Sequence, residues 1–245
     1  MDAREPTDGA ASGRRRVALV TGAGSGIGRA VAIGLAREAF DLALAGRTAA
    51  KLEATASCAA GATTLLLAGD VGDAAFAEAC VDRCVERFGG LDVLVNAAGI
   101  APLEPIGRTS EDTLRAAFEV NAFGPARLIL RAWKTFERQG RGCVVNVSTI
   151  GSIDPFPGFF AYAASKAALD SFTRSIAREG AAIGVTAYSV NPGAVETPLL
   201  RQLFSERVIP RGRTLSAESV ATVVIDCALS RRPGDNGRVI PLPSP

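Results

Sequence analysis

Short aliphatic runs that alternate with longer helical patterns constrain the fold of this chain more than any other feature. Several of the runs are continuously apolar, as in strands whose two faces are both covered. Strands that alternate with crossover helices predict βαβ units and therefore a parallel sheet. The expected strands are 17–20, 42–45, 64–68, 93–95, 143–147, 185–190 and 238–241. The expected helices are 27–38, 48–60, 73–88, 110–138, 162–182 and 217–229.

A single domain accounts for this pattern. The chain has 245 residues, of which 48% are hydrophobic and 21% charged, an ordinary globular composition. No repeat or low-complexity linker divides it. We expect one doubly wound parallel β-sheet with helices on both faces over residues 16–245, after a flexible N-terminal arm over residues 1–15. The irregular segment 197–215 follows a late strand, where a substrate-covering loop or a short helix pair is expected.

Charge and hydropathy exclude two classes of partner. The net charge of +2 is too small to indicate nucleic-acid binding. No apolar stretch reaches the roughly 18 residues that span a bilayer. The first twenty residues include Asp2, Glu5 and Asp8, unlike a signal peptide. The expectation is a cytoplasmic protein with no nucleic-acid or membrane partner.

The chain contains no histidine, and this excludes several kinds of catalytic machinery. Ser-His-Asp and Cys-His mechanisms need an imidazole to take the proton of the nucleophile. The five cysteines are an odd number without CxxC spacing, so neither a disulfide framework nor a zinc site is expected. We interpret them as small core residues and predict no metal site. Proton transfer then depends on Tyr, Lys, Asp, Glu or Cys.

A glycine-rich turn, 21–28, joins the first strand to the first helix. Gly22, Gly26 and Gly28 permit positive φ angles and close approach of a pyrophosphate, and they leave the helix N-terminus facing the anion. The spacing is GxxxGxG rather than the commoner GxGxxG dinucleotide pattern. A tight strand-to-helix connection without a ligand remains the alternative.

Residues after the next strands extend this candidate cofactor site. Arg47 stands where NAD-preferring domains place an acid, about 20 residues beyond the turn. Its guanidinium can neutralise a 2′-phosphate, so NADP(H) is favoured and NAD(H) possible; a solvated arginine is the alternative. Asp70, beside Val71, can accept a hydrogen bond from adenine. The segment Asn96, Ala97, Ala98 and Gly99 supplies small residues beside the adenosine ribose.

Tyr162 and Lys166 are four residues apart in a helical pattern, so they share one helix face. A nearby ammonium lowers the pKa of a tyrosine from about 10 toward neutral pH. The tyrosine then becomes a usable acid or base. A pair of surface neighbours without a function is the alternative.

In combination these motifs resemble the short-chain dehydrogenase/reductase family. The motifs occur in order over roughly residues 16–230: the TGxxxGIG turn at 21–28, the NAAG segment at 96–99, Asn121, the YxxxK pair, and Asn191-Pro192-Gly193 followed by Thr197. The resemblance implies a Rossmann-like fold and hydride transfer between a nicotinamide cofactor and a carbonyl or alcohol.

The resemblance also implies residue roles. Tyr162 would donate or remove the proton, Lys166 would lower the tyrosine pKa and hold the nicotinamide ribose, and Asn121 would anchor a water. Turn and strand-end residues would surround the cofactor. The expected cofactor-binding residues are Gly22, Ser25, Gly26, Ile27, Gly28, Arg47, Asp70, Val71, Asn96, Ala97, Gly99, Tyr162, Lys166, Pro192, Gly193, Val195 and Thr197.

Two positions depart from the family pattern. The family's serine thirteen residues before the tyrosine is replaced by Thr149, which keeps the hydroxyl that would bind the substrate oxygen. Ser148 is adjacent, but strand alternation directs it to the opposite face. The C-terminal sequence 239–245 replaces a glycine-rich ending, so the subunit contacts there stay open.

We expect an NADP-preferring carbonyl reductase or alcohol dehydrogenase, with a catalytically silent dinucleotide sensor or scaffold as the alternative. The family resemblance implies a homo-oligomer, either a tetramer or a dimer. Specificity should come from residues 100–106, 151–160 and 197–215. Six apolar residues have two interpretations: they form the wall of a substrate pocket, or they serve helix packing or a subunit interface. These residues are Phe156, Phe159, Phe160, Leu199, Leu200 and Phe204.

Overall fold

The computed structural model describes residues 14–245. Most of the N-terminal arm predicted over residues 1–15 therefore lies outside the described residues. Its last two residues are described and contact the folded domain. Arg14 Nη1 donates to Asp92 Oδ2 at 2.7 Å, and Arg15 Nη1 donates to the carbonyl of Gly61 at 2.6 Å. The described chain thus joins the domain two residues earlier than we expected.

Seven parallel strands form one sheet in the order β3-β2-β1-β4-β5-β6-β7. This order confirms the predicted doubly wound α/β fold. All predicted strands are present, and their ends differ by at most two residues. The strands are β1 (Arg16–Thr21), β2 (Phe40–Gly46), β3 (Thr64–Ala68), β4 (Val93–Asn96), β5 (Gly142–Val147), β6 (Val185–Pro192) and β7 (Val239–Leu242).

Helices cover both faces of the sheet. Two hydrophobic clusters lie on opposite sides of it, because successive strand residues point to opposite faces. One layer contains α1 (Gly26–Arg37), α2 (Ala49–Cys58) and α8 (Ala217–Ala228), and the other contains α3 (Ala74–Phe88), α5 (Gly124–Gln139) and α6 (Phe160–Gly180). Two shorter helices complete the set: α4 (Glu111–Phe118) and α7 (Pro198–Leu203).

The strand order reverses between β1 and β4, and this opens a crevice at the carboxyl ends of the two strands. Thr21 joins the two strand ends. Its Oγ1 accepts hydrogen bonds from the backbone N–H groups of Ala97 and Ala98, both at 3.1 Å, and donates to the carbonyl of Val95 at 3.3 Å. The buried Thr21 hydroxyl thereby ties the end of β1 to the segment that follows β4, at the base of the crevice.

The predicted helix 110–138 was wrong in one respect, because a π-helical turn, Glu119–Phe123, divides it into α4 and α5. Gly124 and Pro125 follow the turn. Proline has no N–H for the regular helical bond, and Gly124 lies so close to the carbonyl of Val71 that a Cβ would collide with it. The turn buries Asn121 completely. Such π turns are common at functional sites.

Other expectations about the chain have mixed outcomes. The irregular segment 197–215 contains α7 and a 3₁₀ turn, Arg211–Arg213. Four of the cysteines are buried as predicted, but Cys58 is exposed at the end of α2. Among the described residues, no helix is both long and apolar enough to cross a bilayer.

Gly124→Ala should destabilise the fold, because its methyl group would have to displace the backbone of Val71. We expect a loss of about 1–3 kcal/mol in the free energy of unfolding, measured by urea denaturation. Gly107→Ala is the matched control, since a methyl group added at Gly107 would meet no non-neighbouring atom within 4 Å. Equal stabilities for the two variants would contradict the close packing at the π turn.

Candidate active site

A cavity of about 850 Å³ lies at the carboxyl ends of the strands. It extends from the glycine turn after β1, past the ends of β2, β4, β5 and β6, to α7. Ligands of open α/β sheets bind in this position. With the exception of Asn96 and Asn121, all predicted cofactor and catalytic residues line this cavity.

The glycine turn has the shape of a phosphate cradle. Gly22 has a φ of +66°, and a Cβ there would lie 2.8 Å from the carbonyl oxygen of Ala97. Ser25 is the N-cap residue of α1, yet its side chain makes no capping hydrogen bond. The hydroxyl and the first N–H groups of the helix therefore border the cavity together. An anion is favoured at such a helix N-terminus.

Two cations lie beyond this cradle, at the end of β2. Arg47 and Lys51 are exposed, line the cavity and form no ion pair within the described part of the chain. Arg47 ends the turn after β2 and Lys51 lies in the first turn of α2, and both line the same cavity. Our sequence reasoning missed Lys51.

Asp70 and Val71 follow β3 and form the next part of the wall. Asp70 Oδ1 accepts a hydrogen bond from the backbone N–H of Gly72 at 2.8 Å, which fixes the carboxylate in a tight turn. Val71 is buried, and its exposed fraction is 4%. A flat apolar ring can pack between such a valine and the glycine turn, with the Asp70 carboxylate at its edge.

The residues present therefore fit a dinucleotide. The glycine turn has no side chains at the positions where a pyrophosphate would bind. Two cations, Arg47 and Lys51, lie at the end of the cavity where a ribose phosphate would bind. A Cβ at Gly99 would lie 3.2 Å from Asn121 Oδ1 and 3.5 Å from Lys166 Nζ, so the backbone passes close to both side chains here. Gly99 and Lys166 line the same cavity, so its dinucleotide end adjoins the candidate catalytic residues.

Tyr162, Lys166 and Thr149 meet at the centre of the cavity. Tyr162 and Lys166 lie on one face of α6, and Thr149 follows β5. Lys166 is 4% exposed, and its Nζ donates to the carbonyl of Val147 at 2.8 Å. The ring of Phe159 packs on Tyr162 with a centroid distance of 5.3 Å. The proton-bearing groups thus lie in a pocket of low polarity.

This burial shifts the pKa values of both groups. It raises the pKa of Tyr162 to about 12, while a hydrogen bond with Thr149 acts in the lowering direction. It lowers the pKa of Lys166 to about 8, against the raising effect of the Asp170 carboxylate. Desolvation of the phenolate is the largest influence on the Tyr162 pKa in the chain itself, and the expected lowering of that pKa by Lys166 stays a prediction.

The two hydroxyl groups that follow β5 have different environments. Ser148 Oγ donates to the backbone carbonyl of Lys166 at 3.2 Å and so supports α6. Thr149 Oγ1 accepts from the backbone N–H of Gly151 at 3.2 Å and lies with Tyr162. Thr149, as predicted from strand alternation, is the hydroxyl beside Tyr162.

Two predicted residues stand behind the cavity wall. Asn121 Oδ1 accepts from the N–H of Ile100 at 2.9 Å, and its Nδ2 donates to the Ile100 carbonyl and to Ser165 Oγ. Asn96 Nδ2 donates to Asn146 Oδ1 at 2.8 Å. These side chains hold neighbouring elements together, and neither lines the cavity.

The far end of the cavity contains Pro192, Gly193, Val195 and Thr197. Thr197 caps α7 by accepting from the N–H of Leu200 at 3.3 Å. Ser244 and Pro245 also line this end, and the N–H of Gly193 donates to the Leu242 carbonyl at 2.9 Å. From the sequence alone, this C-terminal segment bears only on subunit contacts. Its place beside β6 depends on the β6–β7 register, which the sequence did not reveal.

Apolar side chains dominate the mouth of the cavity between the β5 loop and α7. Of the six residues proposed for an apolar wall, Phe160 alone does not line the cavity; it is 46% exposed. Further apolar residues line the cavity from the segments 100–106 and 197–215, which we expected to determine specificity without naming these residues. They are Leu103, Leu203, Val208, Ile209 and Pro210.

Comparisons with known proteins agree with this geometry. A family model described as short chain dehydrogenase matches residues 16–208. An L-2,3-butanediol dehydrogenase of Corynebacterium glutamicum is 34% identical over 78% of this chain and 76% of its own length. A 3-oxoacyl-[acyl-carrier-protein] reductase of Staphylococcus aureus is 35% identical over 77% of this chain and 78% of its own. The crystal structure of a levodione reductase superposes with a TM-score of 0.87 at 29% identity, over 93% of this chain and 96% of that one.

Lys166 should titrate near pH 8, because its burial favours the neutral amine. The chain has three lysines, so carbon-13 labelling of the lysine ε-carbons should give three resolvable NMR signals. Lys51→Arg and Lys134→Arg each remove one signal and leave that of Lys166. A spectrum in which the Lys166 signal does not titrate near pH 8 would show that the pocket desolvates the ammonium less than its geometry implies.

Proposed function

This chain belongs to the short-chain dehydrogenase/reductase family and is an NAD(P)-dependent oxidoreductase of alcohols or carbonyl compounds; within that activity, we propose that it is an NADPH-preferring reductase of apolar carbonyl substrates. The observation that carries the proposal is the meeting of Tyr162, Lys166 and Thr149 in one cavity with the glycine cradle. A silent sensor would not need this set of residues.

The bound nicotinamide would supply the hydride, and the chain would supply the proton and the positioning. Tyr162 is the proposed proton donor to the substrate oxygen. The raised pKa of Tyr162, about 12, keeps the phenol protonated at neutral pH, which favours the reductive direction. Thr149 would donate a second hydrogen bond to the same oxygen and hold it within reach of the phenol.

Lys166 would act beside the tyrosine as a cation. With a pKa of about 8, it is mostly protonated at pH 7 and loses its charge as the pH rises above 8. The ammonium would stabilise negative charge that develops on the Tyr162 oxygen when the proton leaves. It would also hold the nicotinamide ribose, as the family resemblance implies.

Arg47 and Lys51 support the preference for NADPH. Both are exposed cations on the dinucleotide side of the cavity, with no carboxylate in an ion pair with either among the described residues. A ribose 2′-phosphate would supply the missing negative charge. NADH carries no such phosphate, so it would gain little from these two side chains.

The apolar mouth supports a substrate with a hydrocarbon or aromatic body. Phe156, Phe159 and Phe204 contribute rings to it, and Phe159 and Phe204 lie 6.4 Å apart in an edge-to-face arrangement. Burial of an apolar substrate surface against these rings would provide most of the binding energy. The carbonyl would then be the polar group directed inward, toward Thr149 and Tyr162.

We also propose that the chain forms a homo-oligomer. Phe123 and Leu130 leave 47% and 73% of their side chains exposed on one stretch of the π turn and α5. A second copy of the chain would cover this apolar surface. Sedimentation equilibrium should give a multiple of the 25.2 kDa chain mass, and a mass of one chain would refute the proposal.

Purified protein should oxidise NADPH in the presence of ketones with apolar bodies, and Tyr162→Phe should lower turnover at least about 100-fold, because the proton donor is lost. Tyr188→Phe is the matched control, since Tyr188 is the other tyrosine and is buried away from the cavity. Unaltered turnover in Tyr162→Phe would refute its role. Absence of turnover with every carbonyl and alcohol, while NADPH binds, would refute the proposed reductase.

Arg47→Ala and Lys51→Ala should each weaken NADPH binding by about tenfold and leave NADH binding nearly unchanged, because they remove charge from the phosphate site. Dissociation constants from titration of cofactor fluorescence measure both effects. Arg178→Ala, at an exposed arginine that does not line the cavity, is the control. Equal losses for NADPH and NADH would mean that these cations do not bind the phosphate.

A further inference from the structure

Asp170 is a buried carboxylate that the proposed reaction does not use. It lies on α6, one helical turn after Lys166, and only 4% of it is exposed. No arginine or lysine forms a salt bridge with it in the described part of the chain. Burial of a charged carboxylate is costly unless hydrogen bonds replace its hydration. The donors around Asp170 therefore indicate what the carboxylate supports.

Three side chains donate hydrogen bonds to Asp170. Ser189 Oγ donates to Oδ1 at 2.6 Å, and Ser152 Oγ donates to Oδ2 at 2.5 Å. Asn191 Nδ2 lies 3.1 Å from Oδ2 and 3.3 Å from Oδ1. These donors come from β6 and from the 3₁₀ turn Ile150–Ser152. One carboxylate on α6 thus joins this helix to two further elements, β6 and the 3₁₀ turn.

The same donors extend to the backbone of Thr149. Asn191 Nδ2 donates to the Thr149 carbonyl at 2.9 Å, and Ser152 Oγ lies 2.8 Å from that carbonyl. A serine hydroxyl has one proton, and the shorter contact of Ser152 is with Asp170. The amide of Asn191, with two N–H groups, can then serve both Thr149 and Asp170. The position of the Thr149 backbone depends on this arrangement.

Asp170 also acts on Lys166 through space. Its negative charge opposes the desolvation that lowers the pKa of Lys166. The uncharged Val147 carbonyl faces Lys166 from β5, and the Asn121 amide of the π turn lies on the other side, near Gly99, where it pairs with Ile100 and Ser165. Other charged groups on these elements are exposed or paired elsewhere. On α4, Glu111 pairs with Arg115 and Asp112 is exposed, and on the π turn Glu119 pairs with Arg127.

We propose that Asp170 is a positioning residue of this active site, which holds Thr149 in place through Ser152 and Asn191 and maintains the positive charge of Lys166. The proposal rests on the reductase function, because Thr149 and Lys166 have their roles there. Asp170 itself does not line the cavity. A carboxylate with only a structural role would stabilise the fold without affecting the protonation of Lys166. Titration of Lys166 therefore distinguishes the two roles.

Asp170→Asn is the first test, because it keeps the shape of the side chain and removes its charge. The pKa of Lys166 should fall below its value of about 8 by about one unit, since the ammonium loses a nearby negative charge. Carbon-13 NMR of labelled lysine measures this directly and needs no turnover. The alkaline limb of NADPH-dependent reduction should move to lower pH by the same amount.

Asp82→Asn on α3 is the matched control. Asp82 is 49% exposed and pairs with Arg131 at the surface. Its variant should change neither the Lys166 titration nor the pH profile. A Lys166 titration that is identical in Asp170→Asn, Asp82→Asn and the wild type would overturn the electrostatic part of the proposal.

Ser152→Ala tests the positioning part and also serves if Asp170→Asn fails to fold. This substitution removes one hydrogen-bond donor to Asp170 and leaves the negative charge of Asp170 in place. We expect kcat/KM for the carbonyl to fall about tenfold, with the Lys166 titration and the NADPH dissociation constant unchanged. Normal kcat/KM in Ser152→Ala would overturn this part. Wild-type protein without any turnover would instead refute the reductase function, and the NMR titration would still decide the electrostatic part.

Discussion

The parallel arrangement of the strands is the constraint on which the rest of this structure depends. It brings the carboxyl ends of β1, β2, β4, β5 and β6 to one edge of the sheet. Residues far apart in the sequence, from Gly22 to Thr197, therefore line one cavity. Reversal of the strand order at β1 leaves this edge open, and Thr21 fixes the opening through the backbone of Ala97 and Ala98. The site is a consequence of the topology before any catalytic residue is considered.

Burial then determines the chemistry of the groups at this edge. The pocket around Tyr162 and Lys166 disfavours both phenolate and ammonium. The pKa of Tyr162 is therefore raised and the pKa of Lys166 lowered, and both shifts favour the neutral form of the side chain. The phenol is thereby preserved as a proton donor. The lysine needs support to stay charged, and Asp170 is the nearby carboxylate that provides it. In the proposed mechanism, one buried anion behind the cavity thus makes a tyrosine acid compatible with a lysine cation.

The sequence predicted the strands well, and it correctly located the glycine turn after β1 and Tyr162 and Lys166 on one helix, because these features depend on short-range patterns and on a recognisable spacing. It failed where tertiary packing decides. The π turn depends on the close approach of Gly124 to Val71. Asp170 gave no signal either, since a helical aspartate is ordinarily solvated, and its partners Ser189 and Asn191 become neighbours only through β6.

The most direct test of this account is the ionisation of tyrosine in the cofactor-free protein. The chain has two tyrosines, and burial raises the pKa of both Tyr162 and Tyr188. Near-ultraviolet absorbance across a pH titration measures tyrosinate formation. We predict none from neutral pH up to about pH 10, the ordinary tyrosine pKa. Tyrosinate that forms near neutral pH in the wild type, and not in Tyr162→Phe, would contradict the proposal that desolvation keeps the Tyr162 phenol protonated.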